Sequence, residues 1–260
     1  MVVVKVARCS VLLAALLVAA CVTTSSRPKP EVSDKDAAQF NMQLGISYLR
    51  QGELKTAQAK LEKALSQDGS LATAYSALGL VFERLGDSRG AEKNYRRAVS
   101  LEPSNPDTLN ALAVFLCQRK QESTEALRLF DKALAVPRSQ ADSNRAMLNA
   151  NAGLCAKRVD LARAEDYLRA ALAADPTYTD ALVQLADVAF SRGNYLQSRA
   201  FLVRYLAAGR TTPDALWLGV QVEKALGDTA AAQAYAARLK TQFPEAEETR
   251  LLLESERHDG

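Results

Sequence analysis

Few residues in this chain could do chemistry. The sequence has one histidine, His258, and four cysteines, Cys9, Cys21, Cys117 and Cys155. It has no HExxH motif, no cluster of His and Cys ligands and no Gly-rich phosphate loop. No histidine lies at a spacing that would activate a cysteine for catalysis. We therefore predict that the protein is not an enzyme and uses no cofactor, metal or small-molecule substrate.

The N-terminal segment, residues 1–20, has the layout of a signal peptide. Lys5 and Arg8 give it a positive start, and residues 11–20 form a short apolar run. About ten apolar residues are too few for a membrane-spanning helix. Its end, Val-Ala-Ala followed by Cys21, resembles the bacterial lipoprotein cleavage box, in which the cysteine becomes the first mature residue and is acylated. We predict lipidation of Cys21; the alternative is an ordinary signal peptide and an incidental cysteine.

The residues after Cys21 indicate where the anchor lies. Val22, and not Asp, follows the cysteine, which resembles the outer-membrane address of Gram-negative lipoproteins. Residues 21–36 are mostly Thr, Ser, Pro, Lys and Glu, a composition typical of a flexible tether. The resemblance implies a lipoprotein carried by the lipoprotein sorting machinery. It would be held in the outer membrane by acyl chains such as palmitate on Cys21, facing the periplasm.

The charges are balanced and well mixed. The chain has 33 Lys and Arg against 30 Asp and Glu, a net charge of +3. Removal of Lys5 and Arg8 with the signal peptide leaves a net charge of +1. No basic patch interleaved with aromatic residues is present, so we predict no nucleic-acid partner.

A spacing of 34 residues organises the rest of the chain. Small and apolar residues recur in one order, first as Leu44, Gly45, Tyr48, Gly52, Ala57, Leu61 and Ala64, then as Leu78, Gly79, Phe82, Gly86, Ala91, Tyr95 and Ala98. A fixed period of this length predicts stacked units. Such an array presents a surface to a partner.

The pattern resembles the tetratricopeptide family, whose 34-residue unit is a helix-turn-helix. The resemblance implies an all-α, right-handed superhelical solenoid of six repeats plus a C-terminal capping helix. The array is predicted over residues 37–256, with units at about 38–71, 72–105, 106–140, 145–178, 179–211 and 212–246. The third unit needs one extra residue before Ala126, and the polar stretch 138–144 follows it.

Cys117 and Cys155 remain once Cys9 leaves with the signal peptide and Cys21 is acylated. They lie 38 residues apart, close to one repeat, and so at comparable heights on the first helices of neighbouring units. An even pair in an oxidising compartment favours a disulfide. Neighbouring helices about 8–10 Å apart allow one only if both side chains point inward. The alternative is two buried free thiols.

In the tetratricopeptide family, fixed positions of each first helix line the inner, concave face. In the first two units these positions hold Gln39, Met42, Ile46, Leu49 and Arg50, then Thr73, Ser76, Leu80, Glu83 and Arg84. Spacings of four and three residues put Met42, Ile46 and Leu49 on one helix face. Together with Leu80 they predict an apolar, partner-binding groove. The alternative is that residues 32–38, or the preceding turn, cover this stripe.

The acylated cysteine, the polar tether, six units and a cysteine pair between the third and fourth units together resemble the type IV pilus biogenesis and stability lipoproteins. These are the pilotins of the pilus secretin. The resemblance implies an outer-membrane lipoprotein that binds secretin subunits and promotes their outer-membrane localisation and multimerisation. An alternative is a lipoprotein scaffold that recruits peptidoglycan enzymes in the cell envelope. A third reading is a lipid-anchored subunit of outer-membrane protein assembly.

Overall fold

The structure, a computed structural model, describes residues 33–137 and 144–258. Within these residues all regular structure is helical: α1 (Asp34–Arg50), α2 (Leu54–Gln67), α3 (Ala72–Arg84), α4 (Ser88–Leu101), α5 (Pro106–Phe115), α6 (Ser123–Leu134), α7 (Arg145–Ala156), α8 (Leu161–Ala174), α9 (Thr179–Ser191), α10 (Tyr195–Ala207), α11 (Pro213–Leu226), α12 (Thr229–Gln242) and α13 (Glu247–His258). A π-helix, Leu116–Lys120, follows α5 directly. The predicted all-α class is confirmed. The signal peptide, Cys21, the tether up to residue 32 and residues 138–143 lie outside the described residues.

The helices pack as six consecutive pairs, from α1 with α2 to α11 with α12, and α13 closes the end. Each first helix also contacts the first helix of the next pair: α1 with α3, α3 with α5, α5 with α7, α7 with α9, and α9 with α11. The odd-numbered helices therefore form a continuous layer through the array. This is the nearest-neighbour arrangement of a solenoid, in which one layer lines the inner face.

Glycines allow the two helices of a unit to cross closely. A Cβ at Gly153 would lie 2.6 Å from Cγ of Leu168, and a Cβ at Gly79 would lie 2.8 Å from the Tyr95 ring. Gly45 and Gly219 face their partner helices in the same way. These contacts explain why the repeated pattern needs a small residue at this position.

Replacing Gly153 with Ala is therefore expected to destabilise the fold by about 1–2 kcal/mol, because overpacking outweighs the better helix propensity of alanine. Leu168 is fully buried, and the added Cβ would also lie 3.3 Å from the Ala164 carbonyl oxygen. Gly69→Ala is the matched control, since its Cβ would meet only the Leu65 carbonyl oxygen at 3.7 Å. Urea denaturation of both variants measures the effect. A Gly153→Ala protein as stable as the control would contradict this packing.

The π-helix absorbs the extra residue of the third unit. Its last turn leads into Gln121, whose φ is +58°, and the Glu122 N–H donates to the Leu116 carbonyl at 2.9 Å. The following helix then returns to register, because Ala126 is fully buried like Ala57 of the first unit. One added residue is thus accommodated without loss of the interhelical contact.

The last helix, α13, covers the apolar end of the array. It packs on α11 and α12, and Leu252 is 1% exposed in a cluster with Leu216, Val220 and Leu239. Trp217 packs against the same cluster. Without α13 these side chains would face solvent, which is the usual reason for a terminal cap in a solenoid.

Candidate functional site

An apolar groove of about 320 Å³ lies between α1, α3 and α5. Its apolar lining consists of Ile46, Leu49, Ala77, Leu80, Tyr95 and Ala111. Four polar residues border it: Arg50, Thr73, Ser76 and Arg84. We call this surface the N-terminal groove. Its volume is at the lower end of the range for binding pockets, so it suits a few apolar side chains.

The structure brings three of the four predicted groove residues together. Ile46, Leu49 and Leu80 line the N-terminal groove, whereas Met42 is not part of its lining. Met42 lies one helical turn before Ile46 and packs against the apolar cluster shared by the first two units. Leu49 is only 5% exposed and belongs to the same cluster. It therefore forms the floor of the groove and part of the core.

Tyr95 was not predicted as a groove residue. It comes from the second helix of its unit, α4, and reaches the groove past Gly79. The signal was present in the repeat itself, where Tyr95 takes the place held by Leu61 in the first unit. The larger ring extends across the helix pair and lies 5.3 Å from the Phe115 ring. It thereby joins the groove to the third unit.

The Tyr95 hydroxyl is held as a donor. It donates to Oε2 of Glu83 at 3.1 Å, and Oε1 of the same carboxylate accepts from Nε of Arg119 at 2.8 Å. Burial, with the nearby Glu83 charge as a second cause, raises the pKa of Tyr95 well above its ordinary value. An ordinary tyrosine is already neutral at physiological pH, so this side of the groove carries an uncharged ring.

Two of the polar residues that border the groove, Arg50 and Arg84, are cations. The Arg84 guanidinium donates from NH1 to the Leu49 carbonyl at 3.1 Å, which ties α3 to the end of α1. In the described part of the chain, the Ser76 Oγ is the one buried side-chain oxygen or nitrogen without a hydrogen-bond partner. The apolar lining favours apolar side chains, and the arginines and the Ser76 hydroxyl give the groove a polar border.

Residues 34–38, the alternative cover for the apolar stripe, do not line the groove. Residues 34–38 form the first turns of α1, with Ser33 as the N-cap whose side chain accepts from the Asp36 N–H at 3.1 Å. None of these residues contributes to the groove lining. Residue 32 lies outside the described residues.

Cys117 and Cys155 form a disulfide, with Cα atoms 5.9 Å apart. The bond joins the π-helix after α5 to α7, and thus the third unit to the fourth. Both cysteines are buried, and the Arg158 guanidinium donates to the Cys117 carbonyl at 3.1 Å across the same junction. The cross-link spans the two units between which the polar stretch lies.

The described residues contain no group of three His, Cys, Asp or Glu side chains placed to hold a metal ion. None of their helices combines the length and apolar character that crossing a membrane requires.

Comparisons with known proteins give consistent matches. Tetratricopeptide repeat models match residues 42–106, 76–146 and 157–221. The type IV pilus assembly protein PilF of Pseudomonas aeruginosa is 27% identical over 238 residues, covering 90% of this chain and 92% of that protein. The crystal structure of PilW, a widely conserved type IV pilus biogenesis factor, has a TM-score of 0.77 at 30% identity, covering 83% of this chain and 98% of PilW. The structure of P. aeruginosa PilF has a TM-score of 0.75 at 25% identity, covering 85% and 99%.

Proposed function

Because this chain belongs to the tetratricopeptide repeat family and is homologous to PilF and PilW, we propose that it acts in type IV pilus biogenesis as a pilotin. In this role it is an outer-membrane lipoprotein that binds subunits of the pilus secretin and promotes their localisation and multimerisation. The observation that carries the proposal is the N-terminal groove, an open apolar surface on the inner layer of the array. Similarity to PilF over nine-tenths of the chain supports the biological setting.

The size and chemistry of the N-terminal groove fit a short segment of a partner protein. Filling it with two apolar side chains would contribute about 3–6 kcal/mol from burial. The translational, rotational and side-chain freedom that is lost on association offsets a large part of that energy. A short apolar segment in this groove is therefore expected to bind with moderate affinity, as suits an escort that must release its cargo.

The groove is also near the proposed anchor. The tether from Cys21 enters the array at Ser33, the N-cap of α1, and α1 is one wall of the groove. A tether of this length and composition has a root-mean-square reach of roughly 20 Å. A bound secretin segment would thus be held close to the membrane in which the secretin assembles.

Replacing Cys21 with Ala tests the anchored escort. We expect the protein to leave the outer-membrane fraction and the secretin multimers in that fraction to fall at least about tenfold, because the acyl chains supply the membrane affinity. Cys9→Ala is the matched control, since Cys9 lies in the segment that is removed. Membrane fractionation and immunoblotting of heat-stable multimers give the readout. Normal outer-membrane multimers in the Cys21→Ala strain would refute the escort role.

A further inference from the structure

The outer surface of the first two units is basic, although charge is balanced over the whole chain. The second helices of these units, α2 and α4, belong to the outer layer of the solenoid, whereas the first helices line the groove. Six of the eleven exposed side chains on α2 and α4 are Lys or Arg, and one, Glu62, is acidic. We call five of these cations the basic face: Lys55, Lys63, Arg89, Lys93 and Arg97.

The repeat places these cations on one side of each helix. Arg89, Lys93 and Arg97 follow one another at intervals of four residues, and Lys55 and Lys63 are eight residues apart, so each set follows one helix face. The 34-residue period also puts Lys55 and Arg89 in equivalent positions of successive units, and likewise Lys63 and Arg97. Eight residues of helix span about 12 Å. The basic face is therefore a compact patch that extends over two units.

The five cations of the basic face form no ion pair within the described part of the chain. The acidic residues on the same helices are engaged elsewhere. Glu92 pairs with Arg96 and with Lys120, and the Glu62 carboxylate accepts from the Gln58 side-chain amide at 2.8 Å. Like charges that are left unpaired repel one another, so an anionic partner that neutralises them is favoured.

The fold does not require cations at these positions. In the fifth unit the residue equivalent to Lys55 is Leu196, which is 70% exposed. The exposed charged residues of α8 are Asp166 and Arg169, one of each sign. A solvated helix face commonly mixes both signs in this way. The concentration of one sign on the first two units therefore indicates a binding surface.

We propose that the basic face binds the anionic phospholipid headgroups of the membrane in which Cys21 is anchored. This inference rests on the proposed anchor. The tether reaches the fold at Ser33, the N-cap of α1. In the third turn of α1, Nδ2 of Asn41 donates to Oε1 of Gln67, the last residue of α2, at 2.8 Å. The start of α1 thus lies beside the end of α2, one helical turn from Lys63, and the anchor holds the basic face near lipid.

Binding through the basic face would set the orientation of the N-terminal groove. The groove lies on the first-helix layer and the basic face on the second-helix layer. With the basic face on the membrane, the groove opens toward the periplasm, where a partner can enter it. Two layers of helices are about 20 Å thick, so a segment in the groove still lies close to the bilayer.

The test is flotation of the mature chain, residues 21–260 with Cys21→Ala, with phosphatidylcholine vesicles that contain about 30% phosphatidylglycerol, at about 50 mM NaCl. Without acylation, binding reports the folded surface and not the anchor. Each cation near an anionic surface contributes roughly fivefold in affinity. We expect the Lys55→Gln/Lys63→Gln/Lys93→Gln variant to bind at least about 20-fold more weakly. About 0.5 M NaCl should release the wild type, because it screens the attraction.

Arg210→Gln/Lys224→Gln/Arg257→Gln is the matched control. It removes three exposed cations from the C-terminal part of the array, so its net charge equals that of the test variant. Its affinity for the anionic vesicles should stay within about threefold of the wild type, because charges more than a Debye length from the membrane are screened. Circular dichroism checks that both variants are folded.

Three outcomes would overturn the proposal: no binding to the anionic vesicles, equal binding to vesicles of phosphatidylcholine alone, or an equal loss of affinity in the control variant. If poly-glutamate binds the basic face and the anionic vesicles do not, the partner is an acidic protein and not the membrane. The secretin takes no part in this measurement, so its failure leaves the pilotin role intact. Fractionation of the Cys21→Ala strain tests that role and the anchor separately.

Discussion

Replacing Ile46 with Glu is expected to weaken binding of the secretin at least about tenfold, because an apolar ligand that covers the groove must desolvate the new carboxylate. Ile46 lines the N-terminal groove and is half-buried. Arg50 lies one helical turn after Ile46 and also lines the groove, so a pair with Arg50 offsets part, but not all, of the cost of covering the new carboxylate with an apolar ligand. The measurement is the dissociation constant of the purified lipoprotein for a purified secretin subunit, with circular dichroism as the check on folding.

Phe40→Glu is the matched control for this change. Phe40 lies on the same helix, is 66% exposed and is not part of the groove lining. The same charge there should alter the affinity by no more than about twofold. A single substitution is preferred over a double change with Leu49→Glu, because Leu49 is in the core and a buried charge would unfold the first unit. Wild-type affinity in a folded Ile46→Glu protein would show that the secretin does not bind in the groove.

Loss of the disulfide is expected to have the largest effect on stability. The Cys117–Cys155 bond closes a loop of 38 residues, and the chain-entropy relation gives about 4 kcal/mol for a loop of this length. Because units of a solenoid contact only their neighbours, the loss of stability is expected at the junction between the third and fourth units. We expect the Cys117→Ala/Cys155→Ala variant to unfold in two separate urea transitions, one for each side of the junction.

Wild-type protein treated with a reductant is the control for the cavity that the two alanines leave. It should show the same loss of stability to within about 1 kcal/mol, since a cysteine thiol is only slightly larger than a methyl group. Intact-mass measurement before and after reduction should show a gain of two hydrogens. A single transition at the wild-type urea midpoint in both samples would show that the bond does not hold this junction.

The sequence predicted the groove because inner-face positions recur with the repeat. Ile46 and Leu80 occupy the same position in two successive units, so their meeting on one surface follows from the period. Sequence could not show that Met42 lies outside this lining, because where the groove ends depends on packing against α3 and α5. Sequence also could not show how deeply Leu49 is buried, since a residue at one helix position can belong to both the surface and the core.

The third unit shows a different limit. The pattern revealed an extra residue before Ala126, but a loop, a bulge or a π-helix could each have absorbed it. The structure uses a π-helix that carries Cys117, and the disulfide partner comes from a helix beyond a polar stretch. Tyr95 reaches the groove because Gly79 has no side chain that would collide with its ring. This contact between two helices is a tertiary feature. Periodicity thus predicted which residues face inward, while local backbone adjustments decided which of them touch.

Site-specific photocrosslinking in living cells tests the central claim most directly. A photoreactive amino acid is introduced in place of Leu80, inside the N-terminal groove, or in place of Phe40, outside it. We expect the Leu80 position to capture the pilus secretin and the Phe40 position to capture none. Capture of peptidoglycan enzymes at the Leu80 position, with no secretin, would contradict the pilotin role and favour the envelope scaffold.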